Sequence, residues 1–332
     1  MKYFRFLMLL FAILPVMLAV PANGAENLVT VKLGVMAGEA ASYIPIVGDE
    51  LGIYEKYGIK ISVQEFSTGI NTVDAVILGQ LDFGGGADFA LLNRIGGSEK
   101  SELRICAKSG VSLPGTPYSW KFYVNDDTVQ SPAELSGKSI ALRKGTIEEY
   151  WTAKLIEYGG IDPDSVKILP IGSPLEGVAA IKAKQITGMW GGGQTSVTLS
   201  EIEGVRAIAD LVLIKAKSAN YTVSTSAYLS ENRKLVANYF RAANEIVEFI
   251  QNEPRKTAEI VSKRTNAPVA QVEVNLQRND LSIDFTQSAI DELDVMNEWA
   301  RGAGFIRKVF DARDYVNVDA LKEAFPDRVN YK

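Results

Sequence analysis

The sequence has 332 residues, of which 47% are hydrophobic and 23% are charged, which is typical of a globular protein with one large domain or two medium-sized ones. It contains no histidine, which excludes histidine metal ligands, catalytic dyads with serine or cysteine and an imidazole general base. Its single cysteine excludes an intramolecular disulfide, a four-cysteine zinc site and a CxxC redox pair. The formal net charge is −5 and no block of Lys and Arg is long enough to follow a phosphate backbone, so we expect no nucleic-acid binding.

The first 24 residues are predicted to be a cleaved signal peptide. Lys2 and Arg5 precede an apolar run over 6–20, and the small residues Ala22 and Gly24 fit positions −3 and −1 of a cleavage site. As a helix this run spans about 22 Å, short of a hydrocarbon core of about 30 Å, so an uncleaved anchor is the weaker alternative. No cysteine follows the run, which excludes a lipid anchor. We therefore expect a mature protein located in a bacterial periplasm.

From residue 30 onwards the chain alternates between strand and helix periodicity. The first predicted unit has strands at 30–36, 60–66, 81–83 and 103–108, with helices at 44–57, 71–78 and 88–95. The second has strands at 121–124, 139–142, 166–170, 186–190, 205–213 and 221–227, with helices at 131–135, 147–158, 175–184 and 195–202. After Ser230 only helices are predicted, at 231–252, 255–264, 268–278 and 287–303.

This pattern predicts an α/β fold of two lobes, each with a mostly parallel sheet flanked by helices, followed by a helical C-terminal tail. We place lobe I at 25–115 and 222–332 and lobe II at 116–221. In open α/β sheets, ligands bind beyond the carboxyl ends of the strands, where helix N-termini carry partial positive charge. The cleft between the lobes is therefore the expected site.

Five strand-to-helix junctions are rich in small and hydroxyl residues, which leave backbone N–H groups available to an anion. Aromatic side chains nearby add surfaces for stacking. The candidate ligand-binding residues are Gly38, Ser42, Tyr43, Ser67, Thr68, Gly69, Gly86, Ala87, Asp88, Tyr118, Lys144, Gly145, Thr146, Trp151, Trp190, Gly191 and Gly192. Their convergence from both lobes on one cleft favours a binding role.

Each candidate also has a structural interpretation. The hydroxyl residues and Asp88 are common helix caps, Lys144 is an ordinary solvated charge, and both Trp151 and Trp190 are typical core residues. The glycine runs 84–86 and 191–193 are harder to explain, because glycine costs conformational order unless another group approaches closely. Cys106 lies in an apolar run and is interpreted as a small buried hydrophobe.

No catalytic motif is present. GxxxxGK[ST], GxSxG, SxxK, HExxH, GxGxxG and EF-hand patterns are absent, and the adjacent carboxylates at 126–127 and 148–149 are interpreted as solvated surface. An enzyme would need an acid or base in the cleft, for which only Glu39, Asp88 and Lys144 are candidates. We therefore expect a protein that is not an enzyme and needs no cofactor or metal.

Several segments resemble the periplasmic solute-binding proteins of ABC importers, in particular the nitrate/sulfonate/taurine type, which includes binders of thiamine-precursor pyrimidines. These segments are 31–35, 49–59 (DELGIYEKYGI), 66–69 (FSTG), 78–84 (LGQLDFG), 135–141 (LSGKSIA) and 144–146 (KGT). Many relatives carry an Asp-Ala motif that ends in Trp-Asp/Glu-Pro after the last strand of the second lobe. Here residues 187–194 read TGMWGGGQ, so the pocket is expected to be roomier.

The resemblance implies a type II periplasmic-binding-protein fold and a monomeric receptor that delivers a small organic anion to an ABC-importer permease by cleft closure. A sulfonate, a taurine-like zwitterion or a carboxylate is expected, held by Lys144 and the backbone of 67–69. The alternative ligand is an aromatic heterocycle, such as a thiamine-precursor pyrimidine, stacked on Trp151, Trp190 or Tyr118. A sensory-system receptor and an enzyme on the same fold are the remaining alternatives.

Overall fold

The computed structural model describes residues 28–98, 101–116 and 119–331, so the predicted signal peptide and Tyr118 lie outside the described residues. The strands are β1 (Val29–Met36), β2 (Ile59–Phe66), β3 (Gly84–Ala87), β4 (Leu103–Ser112), β5 (Lys121–Val124), β6 (Ser139–Leu142), β7 (Lys167–Pro170), β8 (Gly188–Gly191), β9 (Arg206–Asp210), β10 (Ala219–Thr225) and β11 (Asn279–Asp280). The helices are α1 (Tyr43–Glu50), α2 (Ile53–Lys56), α3 (Gly69–Ile77), α4 (Asp88–Gly96), α5 (Ile147–Gly159), α6 (Pro174–Lys182), α7 (Gln194–Ser200), α8 (Ser226–Glu231), α9 (Arg233–Asn252), α10 (Pro254–Thr265), α11 (Val269–Gln277), α12 (Gln287–Gly302) and α13 (Asp319–Ala324).

The strands form two units. In the first unit, β1 and β2 pair in parallel, and a bridge between Leu33 and Phe83 connects β1 to the sheet of order β11-β4-β10-β3. In the second unit the sheet has the order β7-β6-β8-β5-β9. The helices α1–α4 and α8–α13 belong with the first unit, and α5–α7 with the second. The two predicted α/β units are therefore present, while the predicted lobe boundaries at 116 and 222 stay a prediction.

Neither of the two larger sheets is mostly parallel: the four-stranded sheet of the first unit is antiparallel in all of its pairings, and the five-stranded sheet of the second unit is mixed. Strand β10 runs antiparallel to β3 and β4, and β5 runs antiparallel to β8 and β9. The path of the chain explains these antiparallel pairings. The chain enters the second unit through β5 and re-enters the first unit through β10. The chain leaves the first sheet after β4 and returns through β10, and these two strands pair side by side. The two crossings between the units are thus adjacent.

Four local predictions differ from the structure. The helix predicted over 44–57 is interrupted between α1 and α2, where Gly52 has a φ of 65°. The glycine run 84–86, predicted to follow a strand at 81–83, belongs to strand β3 itself. A strand does occur after Ser230, since β11 pairs with β4, and helix α13 was not predicted.

The C-terminal helices complete the core of the first unit. Helix α9 has 20 residues, and its apolar residues at helical spacing are buried, as the periodicity predicts. Cys106 is buried in the same core, which confirms its interpretation as a small hydrophobe, and burial raises the pKa of its thiol. In the second unit, apolar clusters lie around Trp151 and Trp190 and around Tyr123 and Met189. None of the helices in the described ranges has the length and apolar character needed to cross a bilayer.

The glycines of β3 let helix α3 approach the strand closely. A Cβ on Gly84 would lie 2.7 Å from the backbone oxygen of Thr72, and one on Gly85 would lie 3.0 Å from the backbone oxygen of Tyr221. The Thr72 hydroxyl accepts a hydrogen bond from the Gly85 N–H at 2.8 Å. A Cβ on Gly86 would meet nothing closer than 3.6 Å. Packing therefore requires glycine at 84 but not at 86.

We expect Gly84→Ala to lower the free energy of unfolding by about 1–3 kcal/mol, because helix and strand backbones would have to separate. Gly86→Ala is the matched control and should change it by less than about 1 kcal/mol, since its new methyl group makes ordinary contacts. Urea denaturation of both variants measures the difference. Equal stabilities for the two variants would contradict the proposed close approach.

Candidate functional site

A cavity of about 210 Å³ lies between the two units, and we call it the main cavity. The first unit contributes the end of β1, the N-terminus of α3, strand β3 and part of α9. The second unit contributes Arg143, Thr146 and Trp151, together with Trp120 just before β5. The cavity thus coincides with the predicted interface between the strand ends of both units.

Arg278 is the central charged residue of this cavity. Its side chain is only 3% exposed, its Nη2 donates to the Glu39 carboxylate, and its guanidinium lies 5.4 Å from the ring centre of Trp120. Glu39 belongs to the first unit and Trp120 to the second, so this one cation contacts both. A buried guanidinium in this position needs its carboxylate partner, because an unpaired buried charge costs several kcal/mol.

Arg143 forms a second buried ion pair at the cavity wall. Its Nε donates to Glu148 Oε1 at 2.9 Å, and its backbone N–H donates to Glu148 Oε2 at 2.8 Å. Burial lowers the pKa of Arg143, but the Glu148 carboxylate and, farther away, Glu39 outweigh that effect, so the pKa is raised overall. Each of the two guanidinium groups therefore already has a carboxylate partner.

Three residues that line the main cavity each carry a buried hydrogen-bond donor with no partner among the described residues. The donors are Thr68 Oγ1, Trp151 Nε1 and Arg278 Nε. Thr68 stands directly before α3, yet its hydroxyl makes no capping bond to that helix. Buried polar groups are normally hydrogen-bonded, and leaving one unpaired costs about 1–3 kcal/mol. An acceptor-rich ligand in the cavity would satisfy groups of this kind.

A smaller cavity of about 90 Å³ adjoins the main cavity, and we call it the side cavity. The two share Glu39, Trp120 and Arg143. Ser67 and Trp190 contribute to the remaining wall of the side cavity. The ion pairs thus lie where the two cavities meet.

The comparisons with known proteins agree on family and fold. The NMT1/THI5-like family matches residues 41–257. The chain belongs to this family. A Brucella abortus relative that is named only as a binding protein is 21% identical over 322 residues, which cover 90% of this chain and 93% of that relative.

Two solved structures share the fold of this chain. The periplasmic aliphatic sulphonate-binding protein SsuA from Escherichia coli is 15% identical, has a TM-score of 0.72 and is similar over 87% of this chain and 92% of its own. The desulfurization enzyme DSZB is 13% identical, with a TM-score of 0.68 over 90% of this chain and 99% of its own. The predicted periplasmic-binding-protein fold is confirmed. Family and fold support a solute-binding role, although an enzyme shares this fold.

The structure brings part of the predicted site together. The predicted residues that line the main cavity are Thr68, Gly69, Gly86, Ala87, Thr146 and Trp151. Those that line the side cavity are Ser67, Trp190 and Gly192. The predicted residues that line neither cavity are Gly38, Ser42, Tyr43, Asp88, Lys144, Gly145 and Gly191.

Lys144, predicted to hold an anion, is exposed and does not reach the cavity. Its neighbour Arg143 points inward instead, because the buried Glu148 of α5 binds its guanidinium and its backbone N–H. Gly145 only donates its N–H to Glu149. Thr146 is both a helix cap and a cavity residue. Its hydroxyl accepts a hydrogen bond from the Glu148 N–H at the start of α5, and the residue lines the main cavity.

The glycine run 191–193 does not enlarge the pocket as predicted. A Cβ on Gly191 would lie 2.6 Å from Leu199, and a Cβ on Gly192 would lie 2.7 Å from the Trp120 ring. Gly193 has a φ of 55° and faces Asn275 and Arg278 of the first unit, at 2.5 and 2.8 Å from an added Cβ. The groups that approach these glycines are therefore the protein's own side chains.

The loop after β1 is braced rather than free for a ligand. Asn275 Nδ2 donates to the Gly38 carbonyl at 2.6 Å and to the Tyr43 hydroxyl at 2.8 Å. The Ser42 hydroxyl donates to the Glu39 carbonyl at 2.7 Å. The residues of this loop that line the cavity are Glu39 and its neighbours Ala40 and Ala41. Trp190 is likewise a core residue, with its indole N–H bound to Thr152 at 3.1 Å.

Arg278 was not among the residues predicted from the sequence, and of the two adjacent cations at 143 and 144 the predicted one, Lys144, lines neither cavity. For Arg278 no local signal exists, since its partner Glu39 lies 239 positions away in the chain. For Arg143 a signal was available, because Glu148 stands in the first turn of the following helix. Glu148 had been assigned to the solvated surface, whereas it is only 4% exposed. No cluster of potential metal ligands occurs within the described ranges.

Asp88 is a buried structural carboxylate close to one crossing between the units. It accepts hydrogen bonds from Phe89 N at 2.8 Å and from Ala219 N, at the start of β10, at 3.2 Å. Burial raises its pKa to about 7, although the two hydrogen bonds lower it. The nearby Glu292 raises the pKa further, and Lys108 lowers it. The carboxyl group thus holds the returning chain to the start of α4.

We expect the Asp88 pKa to make the protein less stable as the pH rises. Between an unfolded pKa of about 3.9 and a folded pKa of about 7, the folded chain binds a proton that the unfolded chain has lost. The free energy of unfolding should therefore fall across this window and level off above it. Urea denaturation at several pH values should give a flatter profile for Asp88→Asn than for the wild type. Identical slopes would contradict the raised pKa.

Proposed function

We propose that this protein is a solute-binding receptor that captures a small organic anion between its two units and delivers it to an ABC-importer permease. The observation that carries the proposal is the set of three unpartnered donors in residues that line the main cavity. They come from the N-terminus of α3, from α5 and from the segment after α11. A carboxylate or sulfonate offers several acceptor oxygens and suits such a set.

The two ion pairs of the site contribute no net positive charge with which to hold an anion. Arg143 and Arg278 are each paired with a carboxylate, so these two ion pairs are neutral together. The N-terminus of the nine-residue helix α3 adds a partial positive charge next to Thr68. A sulfonate, a taurine-like zwitterion or a carboxylate remains the expected ligand class.

The aromatic-heterocycle alternative is less well supported by the geometry. The Trp151 ring packs between Trp120, at 4.9 Å between ring centres, and Trp190, at 5.7 Å. The Trp120 ring is also covered by Arg278. The tryptophans therefore pack on one another and on Arg278, which leaves little ring surface for a ligand to stack on.

None of the three residues that the sequence offered for the enzyme alternative is free in a cavity. Asp88 and Lys144 line neither cavity, and Glu39 is engaged by Arg278. Cys106 is buried in the core, where burial raises its thiol pKa and disfavours the thiolate. We propose a binding role without a cofactor, in a periplasm that the protein reaches through a cleaved signal peptide.

We expect Thr68→Val and Trp151→Phe to weaken binding of an anionic probe by about 2- to 13-fold each. Each change removes one donor, Thr68→Val at nearly constant side-chain shape, and one hydrogen bond contributes about 0.5–1.5 kcal/mol. Calorimetry with ethanesulfonate, butyrate and 4-amino-2-methylpyrimidine measures the effect, after native mass spectrometry of the purified protein has been used to find a co-purifying ligand.

Lys144→Ala is the matched control, because Lys144 is exposed and lies outside both cavities. Its affinity for the same probes should equal that of the wild type. A strong loss in Lys144→Ala, with Thr68→Val unchanged, would move the anion site to the 144–146 loop. Binding of the pyrimidine alone would favour the heterocycle alternative.

We expect a bound anion to favour the arrangement in which the two units are closed, because its partners come from both of them. Small-angle X-ray scattering should show a smaller radius of gyration with a saturating probe than without it. The crossings after β4 and before β10 would form the hinge. An unchanged scattering profile at saturation would contradict the closure step of the proposal.

A further inference from the structure

We propose that Tyr150 is a positioning residue that holds the two units in their closed arrangement before a ligand binds. Its ring, on helix α5 of the second unit, packs into a group of aromatic rings of the first unit, which we call the aromatic socket: Phe89, Trp299 and Phe305. Tyr150 lines neither cavity, so it would act on binding only through the position of the two units. This inference goes beyond the proposed function, since it concerns the protein without a ligand.

The rings of the aromatic socket contact one another and Tyr150. The centre of the Tyr150 ring lies 4.7 Å from that of Trp299, with the ring planes at 80°, and 6.4 Å from that of Phe89, with the planes at 23°. Phe305 stacks on Trp299 at 5.8 Å and meets the buried Phe89 ring edge-on at 5.2 Å. Edge-to-face and offset-stacked rings are the favourable arrangements of aromatic pairs. The contact between the units is therefore an attractive one.

Helix α5 places Tyr150 against the hydrophobic cores of both units. Ile147 and Tyr150 each pack on the core cluster of the first unit and on the cluster around Trp151 in the second. The two residues are three positions apart, so they share one face of the helix. Ile147 also lines the main cavity. A movement of α5 that opens the cavity at Ile147 would therefore also withdraw Tyr150 from the aromatic socket.

The aromatic socket and Arg278 lie on opposite sides of the two crossings. In the sheet order β11-β4-β10-β3, the strands of the crossings, β4 and β10, lie between β11 and β3. Arg278 directly precedes β11, and its carbonyl accepts a hydrogen bond from the Leu113 N–H at 2.8 Å. Phe89 lies in the first turn of α4, which directly follows β3. The contact of Arg278 with Trp120 and that of Tyr150 with the aromatic socket thus flank the crossings, and together they resist rotation of the second unit.

The test is the size of the ligand-free protein in solution. Tyr150→Ala removes both ring pairs between the units, and each pair changes an equilibrium constant by about 2- to 13-fold. The ratio of closed to open molecules should therefore fall by at least about fivefold. Small-angle X-ray scattering without any probe should give a larger radius of gyration for Tyr150→Ala than for the wild type. Equal radii would overturn the inference, since Tyr150 would then not determine the arrangement of the free protein.

Two variants of the same helix separate the ring contact from a general effect on α5. Tyr150→Phe keeps the ring and should have the wild-type radius of gyration. Tyr158→Ala truncates a tyrosine of α5 that is 53% exposed, and it should also leave the radius unchanged. An increase in Tyr150→Phe or in Tyr158→Ala as large as that in Tyr150→Ala would contradict a specific role of the Tyr150 ring.

Trp299→Leu tests the same contact from the first unit. It should also increase the radius of gyration, and it keeps the test valid if thermal denaturation shows that Tyr150→Ala is not folded. The double variant Tyr150→Ala/Trp299→Leu should be little more open than the more open single variant, because both changes break one contact. Increases that simply add would show that the two residues act separately, and they would overturn the inference.

Scattering and calorimetry with ethanesulfonate separate this inference from the proposed function. At saturation Tyr150→Ala should reach the radius of gyration of the wild type, because Tyr150 lies outside both cavities. Its affinity should fall by no more than the shift in the ratio of closed to open free protein. If no anionic probe binds, the proposed function fails, and the comparison of the ligand-free proteins still decides the role of Tyr150.

Discussion

The burial of Arg278 is the constraint on which the arrangement of the site depends. A guanidinium that is 3% exposed must be paired, and its partner Glu39 lies in the loop after the first strand of the chain. Its flat face is covered by Trp120 of the second unit. Gly193 must adopt a positive φ so that the second unit can approach the same side chain. The Arg278 side chain therefore connects the loop after β1 with the second unit. Removing Glu39 would leave the buried guanidinium unpaired, at a cost of about 3–5 kcal/mol.

The regular elements could be predicted because each one buries a face with a recognisable period. The stripe of α9 and the buried strands β5 and β6 follow from local sequence alone. Strand β3 could not be predicted in this way, because glycine has no strand propensity and no side chain to bury. Its conformation comes from pairing with β10, more than 130 residues later in the chain, and from contact with α3.

The candidate site was predicted at the level of segments and less well at the level of residues. Junctions at strand ends do surround the cavity, since that follows from topology. Which of two adjacent cations points inward, however, depends on whether Glu148 is buried, and the sequence does not distinguish a buried glutamate from a solvated one. The role of the glycines at 191–193 could not be predicted for a similar reason. Its glycines accommodate Leu199, Trp120 and Arg278, partners that only the folded chain brings to this place.

The paired arginines also determine which property of a ligand such a site can select. Because Glu39 and Glu148 already neutralise the two guanidinium groups, an incoming anion gains little from net charge. It gains from donors that would otherwise stay unpaired, and this gain depends on the geometry of its oxygens rather than on its charge.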